Sequence, residues 1–163
     1  KVVLVGAYRG YKVADAIAKA NVSVILARVH SLPDAEDDDY NISFKMVKDL
    51  IDAKVTVALG NSGEYWQSRN IPFYAGQTTA HGLSFEDALQ LITKNPATIL
   101  GVSDKLGTLE AGKDATLIVS KGNALEMNGN TISHAFINGR SISLESHQTE
   151  LYKRYMEKYE RAK

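Results

Sequence analysis

Apolar positions follow two different periods in the first third of the chain. Short apolar runs at residues 2–5, 22–27 and 55–59 are rich in β-branched side chains, which is typical of buried strands. Between them, residues 9–20 and 42–53 carry apolar side chains at helical spacing. A strand, a helix and a second strand form a βαβ unit, whose strands are normally parallel and joined by a right-handed crossover. The pattern therefore predicts a sheet of buried, parallel, neighbouring strands.

Helices follow one another in the middle of the chain. Ser84 is placed to cap a helix, because its hydroxyl oxygen accepts a hydrogen bond from a backbone N–H of the first turn, and Asp87 occupies the acidic position of a capping box. Pro96 opens a second short helix, and Gly101 is placed to end it in the left-handed conformation.

After Gly101 the helical period gives way to short β segments. Strands are predicted at residues 106–109, 115–119, 133–137 and 141–144. The dipeptide Asn138-Gly139 between the last two segments is the strongest short-range hairpin signal, because both residues tolerate positive φ. This part of the chain is therefore predicted to be a small β module.

A final helix is predicted over residues 150–163. Five apolar side chains fall on one face of it: Leu151, Tyr152, Tyr155, Met156 and Tyr159. Because an apolar stripe of this width normally packs against a core, we expect this helix to dock on the body of the protein.

The charge balance excludes some classes of partner. Nineteen basic residues match nineteen acidic ones, and no basic run forms the stripe that a nucleic-acid backbone needs. The chain has no cysteine, so thiolate catalysis and thiolate metal sites are excluded. No apolar run reaches the roughly 20 residues of a membrane span. We therefore expect neither a nucleic-acid partner nor a membrane span.

Residues 107–114, with the sequence GTLEAGKD, have the glycine and lysine spacing of a phosphate-binding loop. Such a loop needs a preceding strand, a following helix, and a Ser or Thr hydroxyl for magnesium directly after the lysine. Here Asp114 follows the lysine, and a β-branched apolar run follows Asp114. The segment is therefore interpreted as a turn between two strands, with glycines where positive φ is needed.

The second half of the chain resembles the C-terminal signature of the amidohydrolase superfamily, in particular its imidazolonepropionase-like group. The stretch GLSFEDALQLITKNPATILGVSDKLGTLEAGKDATLIV, followed by HAFINGR, carries the resemblance. It covers residues 84–140 closely and the preceding βαβ region more loosely, with Thr116 where the family usually has Asp.

The resemblance implies an α/β fold, a metal-dependent (β/α)8 barrel with a small β-sandwich. Residues 1–104 would supply barrel strands six to eight, residues 105–145 part of the sandwich, and residues 146–163 a C-terminal helix. A whole barrel takes about 250 residues, so we expect the chain to be a C-terminal fragment whose first metal ligands lie upstream.

Active sites of such barrels form where the strands end. The candidate substrate-binding residues are Tyr8 and Arg28, and the candidate catalytic residues are His30 and Asn61. In the family, the sixth strand usually ends in a metal-binding His and the eighth in an Asp that deprotonates water. Both positions depart from that pattern. Tyr8 follows the sixth strand in place of the His, and Asn61 follows the eighth in place of the Asp, although an amide is neither a base nor a charged metal ligand.

The acidic loop at residues 34–39 follows the second predicted strand and leaves two interpretations open. It is either a solvated surface loop, or one or two of its carboxylates fold in to bind metal or a cationic group of the substrate. Glu64 is a second substitute carboxylate near Asn61. His30 is interpreted either as a replacement ligand or proton-transfer group, or as a solvated loop histidine.

The resemblance implies a hydrolase that acts on carbon–nitrogen bonds of small cyclic amides, with a small-molecule substrate and a divalent metal, zinc by preference, in the parent protein. The alternative is a barrel that has lost catalysis and serves binding or scaffolding. For the fragment alone we expect no metal and no activity. Its two open sheet edges and uncovered apolar face predict self-association or a rearranged packing.

Overall fold

The computed structural model describes residues 2–27, 29–61, 63 and 65–161. The predicted β–α–β–α–β order of the first part is confirmed. Its elements are β1 (Val3–Val5), α1 (Ala14–Lys19), β2 (Ser23–Leu26), α2 (Ile42–Asp52) and β3 (Val57–Leu59). A short 3-10 turn, Gly10–Val13, leads directly into α1.

The three strands form one parallel sheet in the order β1–β2–β3. Every residue of β3 is buried, whereas two of the three residues of β1 are exposed. The prediction of parallel neighbours is therefore confirmed, but the prediction that all three strands are buried is wrong for β1. An edge strand lacks a neighbour on one side, and sequence periodicity alone does not reveal this.

The first sheet packs against helices around one hydrophobic core. Its most completely buried large side chains are Val24, Leu26, Val47, Leu50, Val57 and Leu91. Each such side chain stabilises the fold by roughly 1.5–3 kcal/mol relative to an exposed one. The core thus fixes β2 and β3 against α2 and the helices that follow.

Three helices connect the first sheet to the second. After a 3-10 turn at Tyr65–Asn70, they are α3 (Ile71–Thr79), α4 (Phe85–Gln90) and α5 (Lys94–Leu100). Ser84 caps α4 as predicted, since its Oγ accepts the Asp87 N–H at 3.0 Å. Gly101 ends α5 with φ +74°, also as predicted. Helix α3 was not predicted from the sequence.

A second, antiparallel sheet has the order β4 (Leu117–Ser120), β5 (Ile132–Ile137) and β6 (Arg140–Ser141). Asn138 and Gly139 form the predicted turn, with φ values of +50° and +75°. The predicted strand at residues 106–109 is wrong, because this segment is a turn and bend region without strand pairing. The strand predicted at residues 141–144 is shorter and ends at Ser141.

The second sheet is followed by α6 (His147–Arg161). The predicted helix is present, but none of its described residues is buried. The expectation that it docks on the body is therefore wrong. Among the described residues, no helix is both long and apolar enough to span a membrane.

Candidate functional site

The carboxyl ends of the three parallel strands meet at one edge of the first sheet. Val5 pairs with Ile25, and Leu26 pairs with Leu59, so the strands end in register. The Gly6 N–H donates to the Ile25 carbonyl at 2.9 Å, which continues the pairing one residue beyond β1. The loops that follow the strands therefore leave from the same edge, and they carry the candidate residues that the sequence predicted.

Tyr8 lies in the loop after β1. Gly6 has φ +83°, a conformation that L side chains rarely adopt, and the Tyr8 ring folds back over it. A methyl group at Gly6 would lie 3.4 Å from Cε2 of that ring. Tyr8 is half-buried and lines a shallow pocket together with Ser31, Asp34 and Met46. This position is compatible with the predicted contact to a small molecule.

Asp38 is the most highly connected acidic side chain at this edge. Its side chain is only 3% exposed, and its Oδ1 accepts from Lys12 Nζ at 2.8 Å, from the Tyr11 hydroxyl at 3.1 Å and from Arg9 at 3.2 Å. The hydrogen bonds from Lys12 and Tyr11, with the nearby Arg9 charge, hold the Asp38 pKa below its usual value. The loop after β2 is thereby fastened to the segment after β1.

This contact matches neither of the two interpretations of the acidic loop in full. One carboxylate does fold in, but it binds cations of the same chain. Asp39 pairs with Lys45 at 2.7 Å and also accepts the Asn41 N–H, so its pKa is lowered as well. Sequence reasoning missed the partners of Asp38, although two cations and a phenol within four residues were the available signal.

His30 lies in the loop after β2 and contacts aromatic rings. Its ring centroid is 4.7 Å from that of Tyr74 and 5.8 Å from that of Phe44, both in edge-to-face geometry. Phe44 in turn stacks on His81 with centroids 5.4 Å apart. His30 remains exposed to solvent, and partial desolvation by this cluster lowers its pKa, since desolvation disfavours the charged imidazolium. The neutral ring that results is able to accept a proton.

Asn61 follows β3. Its Oδ1 accepts the Gly63 N–H at 3.1 Å, a side-chain turn that shapes the start of the loop. Helix α5 is attached to β3, because Asn95 Nδ2 donates to the Val57 carbonyl at 2.8 Å. Asn61 thus lies at the predicted strand end, with part of its amide already used to form the turn.

Two other predicted positions, Arg28 and Glu64, lie outside the described residues. The roles of Tyr8, Arg28, His30 and Asn61 therefore stay predictions.

The family resemblance implies a divalent metal as cofactor, which needs several His, Asp or Glu side chains close together. Within the part of the chain that the structure describes, no group of three or more His, Cys, Asp or Glu side chains is placed to hold a metal ion. Oδ1 of the carboxylate that folds in, Asp38, already accepts from Lys12, Tyr11 and Arg9. These residues therefore do not fit a metal centre by themselves.

The GTLEAGKD segment is also defined by the structure. Lys113 Nζ donates to Thr108 Oγ1 at 2.5 Å and pairs with Glu110 at 3.4 Å, so the lysine closes its own loop. The Asp114 N–H donates to the Lys105 carbonyl at 2.9 Å, which closes the base of the turn. Gly107 and Gly112 have φ values of +97° and +92°. The segment is a turn with glycines at positive φ, as predicted, although only one strand, β4, adjoins it.

The chain is similar to known proteins over most of its length. An N-acetylglucosamine-6-phosphate deacetylase of Caenorhabditis elegans is 38% identical over 65 residues, which are 40% of this chain and 14% of that protein. An amidohydrolase structure from Thermotoga maritima superimposes with a TM-score of 0.75 at 24% identity, over 86% of this chain and 36% of that one. An adenosine deaminase structure from Xanthomonas campestris, described with bound zinc, gives a TM-score of 0.59 at 18% identity, over 99% and 43%.

This chain therefore spans less than half the length of each of these proteins. The family model described as "Amidohydrolase family" matches residues 14–142, which include most of both sheets and the helices between them. We conclude that the chain belongs to the amidohydrolase family.

Proposed function

We propose that the chain is the C-terminal part of a hydrolase that cleaves carbon–nitrogen bonds in small molecules. The observation that carries the proposal is the family match over residues 14–142. The similar proteins named above include a deacetylase and a deaminase, both of which act at carbon–nitrogen bonds. Small cyclic amides are the substrate class that we propose, because the signature in residues 84–140 resembles the imidazolonepropionase-like group.

In this proposal, β1, β2 and β3 are the last three strands of a (β/α)8 barrel, and the second sheet is part of a small sandwich. The parallel order of the strands and their common carboxyl edge support this assignment. Tyr8 and Arg28 would then contact the substrate at the barrel mouth. His30, whose lowered pKa keeps it neutral near pH 7, would accept or return a proton.

Asn61 would hold the substrate by its amide rather than act as a base. Residues of the missing part of the barrel would hold the divalent cation, for which we propose zinc. When bound, such a cation supplies Lewis-acid activation to hydrolases of this kind. The 163-residue chain alone is proposed to bind no catalytic metal and to be inactive, because the side chains of its described residues do not assemble the required ligands.

The alternative proposal is a barrel that has lost catalysis and serves binding. Two features favour it: Tyr8 and Asn61 stand where the family usually has a metal-binding His and a catalytic Asp. In addition, the Asn61 side chain already forms a turn with Gly63. A binding protein would retain the pocket beside Tyr8 without needing a base.

The two proposals are separated by a measurement on the parent protein, the longer protein of which we propose this chain is a part. A panel of small cyclic amides and N-acyl compounds is incubated with it, and its metal content is measured by elemental analysis. Hydrolysis together with stoichiometric metal supports the enzyme. If neither is found but a panel member binds, and if Asn61→Asp restores metal binding, the alternative is supported.

A separate experiment tests the chain itself. The purified 163 residues, supplied with zinc, are expected to show no turnover on the same panel. Metal-dependent hydrolysis by this chain would contradict the assignment of the metal ligands to other residues.

A further inference from the structure

A glutamine of the 3-10 turn after β3 lies beside the predicted site residue Asn61. A Cβ atom placed on Gly63 would lie 2.3 Å from Gln67 Oε1 and 3.6 Å from Asn61 Oδ1. Cβ atoms in proteins do not approach other heavy atoms as closely as 2.3 Å, so the missing side chain of Gly63 leaves the space that the Gln67 amide occupies. Two carboxamides therefore border one glycine at the carboxyl end of β3.

The Gln67 amide has hydrogen-bonding groups that the protein does not use. Gln67 is half-buried, and none of the described residues forms a hydrogen bond with its side chain. A carboxamide carries two N–H donors and an oxygen with two lone pairs, and these are normally paired when a side chain leaves bulk water. Asn61, by contrast, already uses its oxygen to accept the Gly63 N–H. Gln67 is thus able to pair with a ligand at the edge where the three parallel strands end.

The donor and acceptor of a carboxamide match those of a cyclic amide. In a small ring the amide bond is held cis, so its N–H and its C=O point to the same side. One edge of a carboxamide places an oxygen next to an N–H, and the two groups therefore form a pair of parallel hydrogen bonds. An open-chain secondary amide is trans, with its N–H and C=O on opposite sides, and it forms only one of the two bonds.

We propose that Gln67 determines the specificity of the site for cyclic amides. Its Oε1 accepts from the ring N–H, and its Nε2 donates to the ring carbonyl. This role rests on the proposed function, which places a small molecule at the carboxyl edge of the first sheet. The carbonyl oxygen of the substrate keeps a second lone pair for the group that activates it. Gln67 selects and orients the ring, and the bond is broken by other groups.

Gly63 offers a second way to perturb the Gln67 amide without deleting it. The atom nearest to an added methyl group is the far end of the flexible Gln67 side chain, so Gly63→Ala should displace the amide and leave the backbone in place. Gly63 is not one of the glycines at positive φ, so alanine at this position adds no left-handed strain.

The test compares the binding of three small amides to the parent protein. Pyrrolidinone is a cyclic amide with a free N–H, its N-methyl derivative lacks that N–H, and N-methylacetamide is an open-chain trans amide. Dissociation constants are measured by ligand-observed NMR, which detects weak binding. Pyrrolidinone is expected to bind about fivefold more tightly than either of the others, because it forms two hydrogen bonds with Gln67 where they form at most one.

Three variants assign this preference to Gln67. Gln67→Met keeps the length of the side chain without the amide and is expected to reduce the ratio of dissociation constants to about one. Gly63→Ala is expected to lower the ratio as well, and it decides the test if Gln67→Met does not fold. Gln77→Met is the matched control, because Gln77 is also half-buried and without a hydrogen bond to a described residue, but lies on α3. It is expected to keep the full preference.

The ratio separates recognition from a structural role, because a residue that only supports the loop would change all three affinities together. No preference in the unmodified parent protein, a preference that survives Gln67→Met, or an equal loss in Gln77→Met would each overturn the role of Gln67. Turnover is followed separately on the panel described above. Hydrolysis without the preference would contradict the role of Gln67 alone, whereas the preference without hydrolysis would contradict the hydrolase and support the role of Gln67.

Discussion

The two glycines of the GTLEAGKD segment give a matched test of its architectural role. Both have positive φ, +97° at Gly107 and +92° at Gly112. A methyl group at Gly107 would lie 2.7 Å from Ala97 Cβ, 3.1 Å from the Thr93 carbonyl oxygen and 3.2 Å from Lys94 Cα. At Gly112 the same methyl group would have no neighbour within 4 Å. The two sites therefore share the backbone strain and differ in steric contact.

The magnitudes follow from these two terms. Alanine in the left-handed region costs about 1–2 kcal/mol, and the smaller entropy of the unfolded chain offsets about 0.4–1 kcal/mol of that cost. Gly112→Ala is therefore expected to destabilise the fold by roughly 0.5–1 kcal/mol. Gly107→Ala adds an overpacking cost of about 1–3 kcal/mol, because helix α5 supplies the crowding atoms.

The assay is urea and thermal unfolding of both variants. At roughly 2–4 °C per kcal/mol for a chain of this size, Gly107→Ala should melt about 2–12 °C below Gly112→Ala. Adding Ala97→Gly removes the nearest crowding atom, so the cost of Gly107→Ala should fall in that background. Equal costs for the two alanine variants, or no coupling to Ala97, would refute the packing argument.

The remaining predictions concern the contacts around the first sheet. Asp38→Asn should lower the urea midpoint at pH 7. Because the Asp38 pKa is depressed in the folded state, the stability that its charge contributes is present above about pH 4 and lost below it. The variant and the unmodified chain should therefore become equally stable in acid. A constant difference in stability down to about pH 2.5 would count against the ion cluster. Asp34→Asn, which alters an exposed carboxylate of the same loop, serves as the control and should have a smaller effect at pH 7. Partial desolvation lowers the His30 pKa, so the unmodified chain should lose stability as pH falls below about 6.5. His30→Phe should flatten that dependence in chemical unfolding curves, and an unchanged slope would contradict the desolvation of the ring. Asn95→Ala should cost about 1–2 kcal/mol in urea unfolding, because it removes the donor to the Val57 carbonyl, and an effect no larger than that of the exposed Lys94→Ala would contradict this.

Local signals in the sequence were sufficient for several elements. The apolar runs predicted the parallel strands, and the capping pattern at Ser84 predicted the start of α4. Gly101 and Asn138-Gly139 were predicted because positive φ restricts the choice of residues at a helix end and in a tight hairpin. In each case the determining interaction lies within a few residues.

Elements that depend on distant contacts were missed. Helix α3 has apolar and small side chains on several sides, so it lacks the stripe that identifies a helix. The segment at residues 106–109 was predicted as a strand, but the hydrogen bond from the Asp114 N–H to the Lys105 carbonyl and the positive φ of Gly107 make it a turn. The Asp38 cluster joins residues 26 to 29 positions apart, a distance over which spacing carries no signal.

Helix α6 shows the same limit at the level of partners. Its stripe predicted a packing surface, but amphipathicity does not say which surface covers it. The structure leaves the stripe exposed to solvent.

The most direct test of the proposed function is hydrolysis of small cyclic amides by the parent protein before and after removal of its divalent metal. The account predicts turnover that is lost on chelation and recovered when zinc is added back. A metal-free parent protein that hydrolyses none of these compounds would contradict it, and so would turnover that chelation leaves unchanged.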